Sequence, residues 1–223
     1  MTTRLFFQAL GKFFLGVLLL AALLFLPAGT LRYWNGWLLM IILFVPMFGA
    51  GIVMMVKNPA LLRKRLNAKE REAEQKTVIA WSGVLFLAAF LSAGLSFRFG
   101  WLLLPRWVSW AAAALFLAAY GMYAEVLREN AYLSRTIEVQ EGQKVIDTGL
   151  YGVVRHPMYA ATLLLFLAMP LVLGSLISFV ILLGYIPLIR KRMANEEAVL
   201  AAGLPGYEDY RKRVRYKVIP RVW

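Results

Sequence analysis

Residues 155–197 read RHPMYAATLLLFLAMPLVLGSLISFVILLGYIPLIRKRMANEE. From His156 to Ile189 there is no Asp, Glu, Lys or Arg. A helix crosses a bilayer with about 20 apolar residues, so this run is too long for one crossing and too short for two full ones. Pro170 and the Gly174-Ser175 pair sit in its middle, and both are breaker signals. The run therefore predicts a helical hairpin, 158–172 outward and 176–190 back. Its arms are short, so the tip stops inside the far leaflet or the bilayer thins around it. A hairpin returns RHPMY and the Arg- and Glu-bearing segment 190–197 to the same membrane face.

Upstream, four more stretches are long and apolar enough to cross. Phe13 to Leu26 is the first, extended upstream through Leu5, Phe6 and Phe7; residues 33–56, 77–97 and 107–124 follow. The fold class is thus all-α: a polytopic membrane helix bundle of four spans plus a C-terminal helical hairpin. Composition agrees. The 223 residues are 61% apolar and 17% charged, with a mean hydropathy of +0.66, whereas a soluble domain carries about 25% charged residues. The start of the chain also has the outline of a signal peptide, with Arg4 and Lys12, an apolar run and Pro27-Ala28-Gly29. The alternation of spans and basic loops that follows favours a first span.

Charge orients the bundle. With the N-terminus inside, the inner segments carry Arg4 and Lys12, seven bases in 57–76, four in 127–156 and nine in 190–223, or 22 in all. The outer loops carry only Arg32, Arg98 and Arg106. Such a bias places both termini and the basic loops in the cytosol. Trp34, Trp37, Trp101, Trp107 and Trp110 flank the outer loops as an interfacial belt. The net charge of +13 is therefore read as topology and not as nucleic-acid binding, for which no aromatic-basic motif is present. The absence of cysteine excludes disulfides, thiolate metal sites and a cysteine nucleophile. The single histidine, His156, argues against a multi-histidine metal site.

Two inner segments suggest structure of their own. Residues 57–76, KNPALLRKRLNAKEREAEQK, open on Asn58 as a helix cap and Pro59 in the first turn. Leu61, Leu62 and Leu66 share one face, which predicts an amphipathic helix on the membrane surface. Residues 136–147, TIEVQEGQKVID, alternate apolar and polar around Glu141-Gly142 and read as a short β-hairpin or a loop.

Candidate chemistry gathers at one face. The loop 142–159 enters the hairpin with His156, and the second arm leaves through Arg190, Lys191, Arg192, Asn195, Glu196 and Glu197. Arg192 and Glu196 are four apart and share a helix face. Each feature has a plain structural reading: Arg155 and His156 as interfacial anchors, Arg192 with Glu196 as a surface pair worth about half a kcal/mol, and Tyr207, Tyr210 and Tyr216 as interfacial aromatics. Their convergence on one membrane face favours a site.

The pattern from Gly142 to Tyr159, G-x-K-V-I-x-x-G-x-Y-x-x-x-R-H-P-x-Y, then the uncharged hairpin, then Arg192 to Glu197, then Tyr207 to Val214, resembles the isoprenylcysteine carboxyl methyltransferase family and its bacterial relatives. The resemblance covers residues 136–220, and NPALLRKRL upstream also looks like bacterial members. It implies a methyltransferase that uses S-adenosylmethionine without a Rossmann domain, and no G-x-G-x-x-G follows a strand pattern here. It places the methyl donor against Gln143, Lys144, Val145 and Ile146, against Tyr151, against His156, Pro157, Met158 and Tyr159, and against Glu196. It places the acceptor's carboxylate against Arg192. Gln143 stands where the family often has His, which weakens that one contact. One domain, 1–223, is implied: spans in 1–126, and a catalytic region 127–223 holding the hairpin 158–190 and a small cytosolic cofactor-binding region. The partners implied are a lipid-like or prenylated acceptor and membrane lipid, with no metal. A nicotinamide-dependent membrane reductase of related core and a non-enzymatic membrane protein are the competing readings; the near absence of ionisable residues inside the first four spans counts against a transporter.

Because the chain has no cysteine, topology is directly measurable. Arg215→Cys should react with a membrane-impermeant thiol reagent only from the cytosolic side, and labelling from the opposite side would invert the orientation.

Overall fold

The computed structural model describes residues 3–57, 59–66, 73–130, 132–133 and 139–223. The regular structure among them is helical: α1 (Thr3–Ala28), α2 (Trp34–Lys57), α3 (Pro59–Leu66), α4 (Ala73–Phe99), α5 (Arg106–Glu129), α6 (Pro157–Val172), α7 (Leu176–Leu183), α8 (Tyr185–Gly203) and α9 (Tyr207–Arg213). In α1, α2, α4 and α5 an apolar stretch of 24 residues is long enough to cross a bilayer, or about 36 Å at 1.5 Å per residue. These are the four expected spans, each extended by a few residues. Their outer surface is studded with large exposed apolar side chains, among them Leu18, Val45, Val84 and Trp107. Water does not tolerate an apolar surface of that extent, and lipid does. The chain is an integral, multi-pass membrane protein.

Small residues set the helix crossings. Ala93, Ala112, Ala113, Ala119 and Ala168 are buried in the main core with Leu24, Leu39, Phe116 and Val172. In lipid, helices associate by close packing, which small residues permit. At the crossing of α1 and α4 a side chain on Gly94 would lie 2.7 Å from the Leu24 carbonyl oxygen, so only glycine fits.

The hairpin is present: α6 runs out, residues 173–175 turn, and α7 and α8 return. Its tip is joined to the turn between α4 and α5. The Leu104 N–H donates to the Gly174 carbonyl at 2.9 Å, and the Leu176 N–H to the Leu102 carbonyl at 3.2 Å. The tip thus reaches the level of that turn instead of ending short of it. Side chains from three spans complete the latch. Asn35 Nδ2 donates to the Val172 carbonyl at 2.7 Å and to Ser109 Oγ at 2.9 Å, and the Tyr33 hydroxyl donates to the Leu173 carbonyl at 2.7 Å. Ser175 Oγ donates to Ser96 Oγ, and Ser178 Oγ to the Ala89 carbonyl. Carbonyls at the end of a helix have no partner in their own ladder and no water within a bilayer, so neighbouring spans supply the donors.

The returning arm differs from the expected single helix 176–190. It breaks at Gly184, and α8 runs on to Gly203. Pro187 has no N–H for the Leu183 carbonyl four residues earlier, which interrupts the ladder there. The amphipathic reading of 57–76 also needs correction. Lys57 ends α2 and Lys76 lies in α4, so neither belongs to a surface helix; among the described residues between them helix α3 spans Pro59–Leu66 with Leu62 buried, and Asn58 and residues 67–72 lie outside the described residues. Lys12 Nζ ties α3 to α1 through the Leu66 carbonyl at 2.7 Å. In 136–147, residues 136–138 lie outside the described residues, and 139–147 form a turn with no strand. Gln143 N–H donates to the Gln140 carbonyl, and the Gln143 side chain accepts the Gln140 N–H at 2.8 Å. These polar groups are satisfied locally, which removes the need for a strand partner.

Asn35→Leu keeps the volume, strands the Val172 carbonyl and removes the donor to Ser109 Oγ, whose own hydroxyl still donates to the Leu171 carbonyl. It should cost about 1 kcal/mol and lower the melting temperature in detergent, with faster amide exchange at residues 172–176.

Candidate active site

Pro157 starts α6 as its first residue, where its fixed φ favours a helix and its missing N–H is no loss. Directly before it, Arg155 and His156 are held by the C-terminal segment. The Arg155 N–H donates to the Tyr216 carbonyl at 2.9 Å, and the His156 N–H to the Lys217 carbonyl at 2.8 Å. From the other side comes Glu197 of α8. Its Oε1 accepts Arg155 Nε at 2.9 Å and His156 Nε2 at 3.1 Å, and its Oε2 accepts Lys217 Nζ at 2.7 Å. An ionised carboxylate only accepts, so His156 carries its proton on Nε2. Arg155 Nη1 is taken by the carbonyls of Val214 and Arg215. Burial alone would raise the Glu197 carboxyl. The hydrogen bonds from His156 and Lys217, with the charges of His156 and Arg155, outweigh it and hold the carboxyl well below the usual carboxylate range.

The neighbouring Glu196 points elsewhere, since successive helix residues are turned by about 100°. Its Oε2 accepts the Tyr159 hydroxyl, and that hydroxyl accepts Arg192 Nε at 3.1 Å. Arg192, Tyr159 and Glu196 therefore form one hydrogen-bonded row along a cleft. Gln143, Lys144, Val145 and Ile146 of the loop line the same cleft, as do Tyr151, His156 and Met158. Every residue that the sequence pattern assigned to the site lines this cleft except Pro157, which is buried behind it.

The structure adds residues that the sequence reading left out. Asn130 at the end of α5 lines the cleft and donates Nδ2 to the Tyr151 hydroxyl at 2.9 Å, while the Tyr210 hydroxyl donates to the Tyr151 carbonyl at 2.8 Å. Glu129 accepts the Leu150 N–H at 3.1 Å. This clasp needs Gly149: its φ is +50°, and a Cβ there would lie 1.5 Å from Glu129 Oε1. Helix α9 completes the enclosure. Leu204, Tyr207, Tyr210 and Val214 form a small core against Val139, Val145 and Leu200, and Arg213 pairs with Asp147 at 2.8 Å. Tyr207 and Tyr210 are buried, so they are not interfacial anchors, and Arg155 with a side chain 7% exposed is not one either. Their three-residue spacing on one helix face was the available sign for the tyrosines. Lys217 and Glu129 gave none, because their partners lie 20 or more residues away.

Loss of the Glu197 charge strands Arg155 and Lys217. Glu197→Gln should cost about 3 kcal/mol of stability. The native carboxyl ionises below the unfolded value of about 4.3, so its contribution is complete above that pH and is lost as the pH falls through the native pKa. The melting-temperature gap between wild type and Glu197→Gln should hold from pH 8 to about 5 and narrow below it.

Residues 107–202 match the model of the isoprenylcysteine carboxyl methyltransferase (ICMT) family, and this segment contains α5, the loop 143–146, RHPMY and Glu196-Glu197. The chain is also similar to the Delta(14)-sterol reductase TM7SF2 of Mus musculus, 33% identical over 91 residues, which is 40% of this chain and 22% of that protein. A Delta(14)-sterol reductase of Methylotuvimicrobium alcaliphilum is 24% identical over 135 residues, 54% of this chain and 32% of that protein. The matches thus span under a third of either reductase. Among solved structures, the eukaryotic intramembrane Ras methyltransferase ICMT has the same fold at a TM-score of 0.52 and 16% identity, covering 85% of this chain and 74% of that one. The RHPMY turn, the hairpin and the Glu pair all lie inside the matched segment, and the helices are arranged as in that fold.

Proposed function

We propose that this protein transfers a methyl group from S-adenosylmethionine to a carboxylate on a membrane-partitioned acceptor, such as a prenylated cysteine C-terminus. The observation that carries the reading is the row Arg192–Tyr159–Glu196 along a cleft that opens where the hairpin returns. The donor presents an ammonium, a carboxylate and a sulfonium. Glu196 suits the ammonium. Tyr151 and Tyr207 supply aromatic faces for a sulfonium or an adenine. The loop Gln143, Lys144, Val145 and Ile146 supplies backbone groups, and Met158 an apolar contact. Tyr207 also brings a buried hydroxyl with no partner, which a ligand group would complete. His156 is assigned a holding role, because its Nε2 is committed to Glu197; Pro157 shapes the turn.

S-adenosylmethionine, when bound, supplies an electrophilic methyl on sulfur. The acceptor carboxylate is already ionised near pH 7, so no general base is required. Rate then comes from holding two reactants in line, and a guanidinium fork suits a carboxylate. The single domain 1–223 uses its spans to admit a lipid-like acceptor from the bilayer, and the charge bias sets the cleft and both termini on the cytosolic side.

Likeness to the sterol reductases favours one alternative, a nicotinamide-dependent reductase on the same core. Calorimetric titration of the purified protein with S-adenosylhomocysteine and with NADPH separates the two. Binding of S-adenosylhomocysteine is expected, weakened in Glu196→Gln by about 1.5–3 kcal/mol; binding of NADPH alone would replace the proposal. Methyl-labelled donor added with lipid extracts then identifies the acceptor. For a carboxylate acceptor, Arg192→Lys should keep donor affinity and lose most turnover; for an amine or thiol acceptor the effect should be mild.

A further inference from the structure

Among the described residues, Tyr207 Oη is the one buried side-chain polar atom without a hydrogen-bond partner. Tyr207 is 4% exposed and lines the cleft beside Glu196. Its neighbour one turn on, Tyr210, is fully engaged through its hydroxyl, so the vacancy is particular to Tyr207 and not to α9. An unpaired hydroxyl is costly to bury, and a fold that retains one at a cleft has a use for it.

The groups around it are already taken. Glu197 is saturated by Arg155, His156 and Lys217, and the Arg155 guanidinium is spent on Glu197 and two carbonyls. The charges acting most strongly on the Tyr207 hydroxyl are the carboxylates of Glu197 and Glu196, ahead of Arg155. Burial first, and then these carboxylates, push the phenol upward, so it stays a neutral hydroxyl in a negative field. Such a field repels an anionic ligand group and attracts a cationic one.

We infer that the Tyr207 hydroxyl is a second partner, beside Glu196, for the ammonium of the bound methyl donor. The inference rests on the S-adenosylmethionine reading above. An ammonium has three N–H donors; Glu196 takes one with its charge, and Tyr207 Oη accepts another. The hydroxyl is buried in the present arrangement, so a ligand group reaches it by a local displacement of the side chains that cover it.

The test is Tyr207→Phe, titrated with three probes and melted without ligand. S-adenosylhomocysteine has the ammonium and the carboxylate, its decarboxylated analogue has only the ammonium, and 5′-methylthioadenosine has neither. The expected result is a Kd about tenfold higher for the first two, no change for methylthioadenosine, and a ligand-free melting temperature equal to or above wild type. Unchanged affinity for S-adenosylhomocysteine overturns the inference, as does equal weakening of all three probes. Weakening confined to S-adenosylhomocysteine also overturns it, by pointing to the carboxylate. A lower melting temperature, or a variant that does not fold, shows that the hydroxyl serves the fold and overturns it as well. Wild-type protein that fails to bind S-adenosylhomocysteine overturns the donor reading itself.

Discussion

A single buried carboxylate joins three distant parts of the chain. Glu197 of α8 receives Arg155 and His156 from the turn that opens the hairpin and Lys217 from the C-terminal segment. Isolated, the Glu197 carboxylate would be expensive at 8% exposure. Together these groups are mutually compensated, and the geometry that compensates them is also the geometry of the site. Fixing Glu197 fixes the rotation of α8, and that rotation turns Glu196 and Arg192 toward the cleft. The pairing Glu196-Glu197 thus divides labour between neighbours: one carboxylate is consumed by the ion-pair cluster, while the other lines the cleft and accepts the Tyr159 hydroxyl.

At the far end of the hairpin the constraint is different. No charge is used there. Carbonyls exposed by the turn at residues 172–174 meet amide and hydroxyl donors from Asn35, Tyr33 and the α4–α5 turn. The hairpin is therefore pinned at both ends, by ion pairs where water is near and by neutral hydrogen bonds inside the bundle, as the cost of charge in lipid requires. Between the pins, α6 and α8 pack through Tyr159, Leu163, Tyr185, Ile189 and Met193, which carries the position of the tip to the cleft.

The kinship with sterol reductases and with an intramembrane methyltransferase points to one helical scaffold that hosts different chemistries. The first four spans offer almost no reactive groups, and the polar side chains of this chain gather at the cleft instead. In this chain those side chains are supplied by short, non-membrane pieces: the loop 139–147, the turn before α6, the first turns of α8 beyond the bilayer, and α9.

The membrane class, the four spans and the hairpin were legible in the sequence, because crossing lipid demands about 20 apolar residues per helix and charges mark the ends. The residues that the family pattern named line the cleft apart from Pro157, whereas Asn130, Leu200 and Leu204 line it without having been named. The break at Gly184 was foreseeable from Pro187, though the length of α8 was not, since its last turns are held by packing against α9. The assembly of the Glu197 cluster, the Glu129–Gly149 clasp and the isolation of the Tyr207 hydroxyl were not legible at all. The first two depend on residues 20 or more positions apart meeting at 2.7–3.1 Å and the third on no partner arriving, and one-dimensional periodicity records which face a residue occupies but not which partner that face will meet. The sequence by itself determined the solvent this protein folds in and the elements it folds into; only the tertiary structure decided which polar groups are consumed by the fold and which are left facing the cleft.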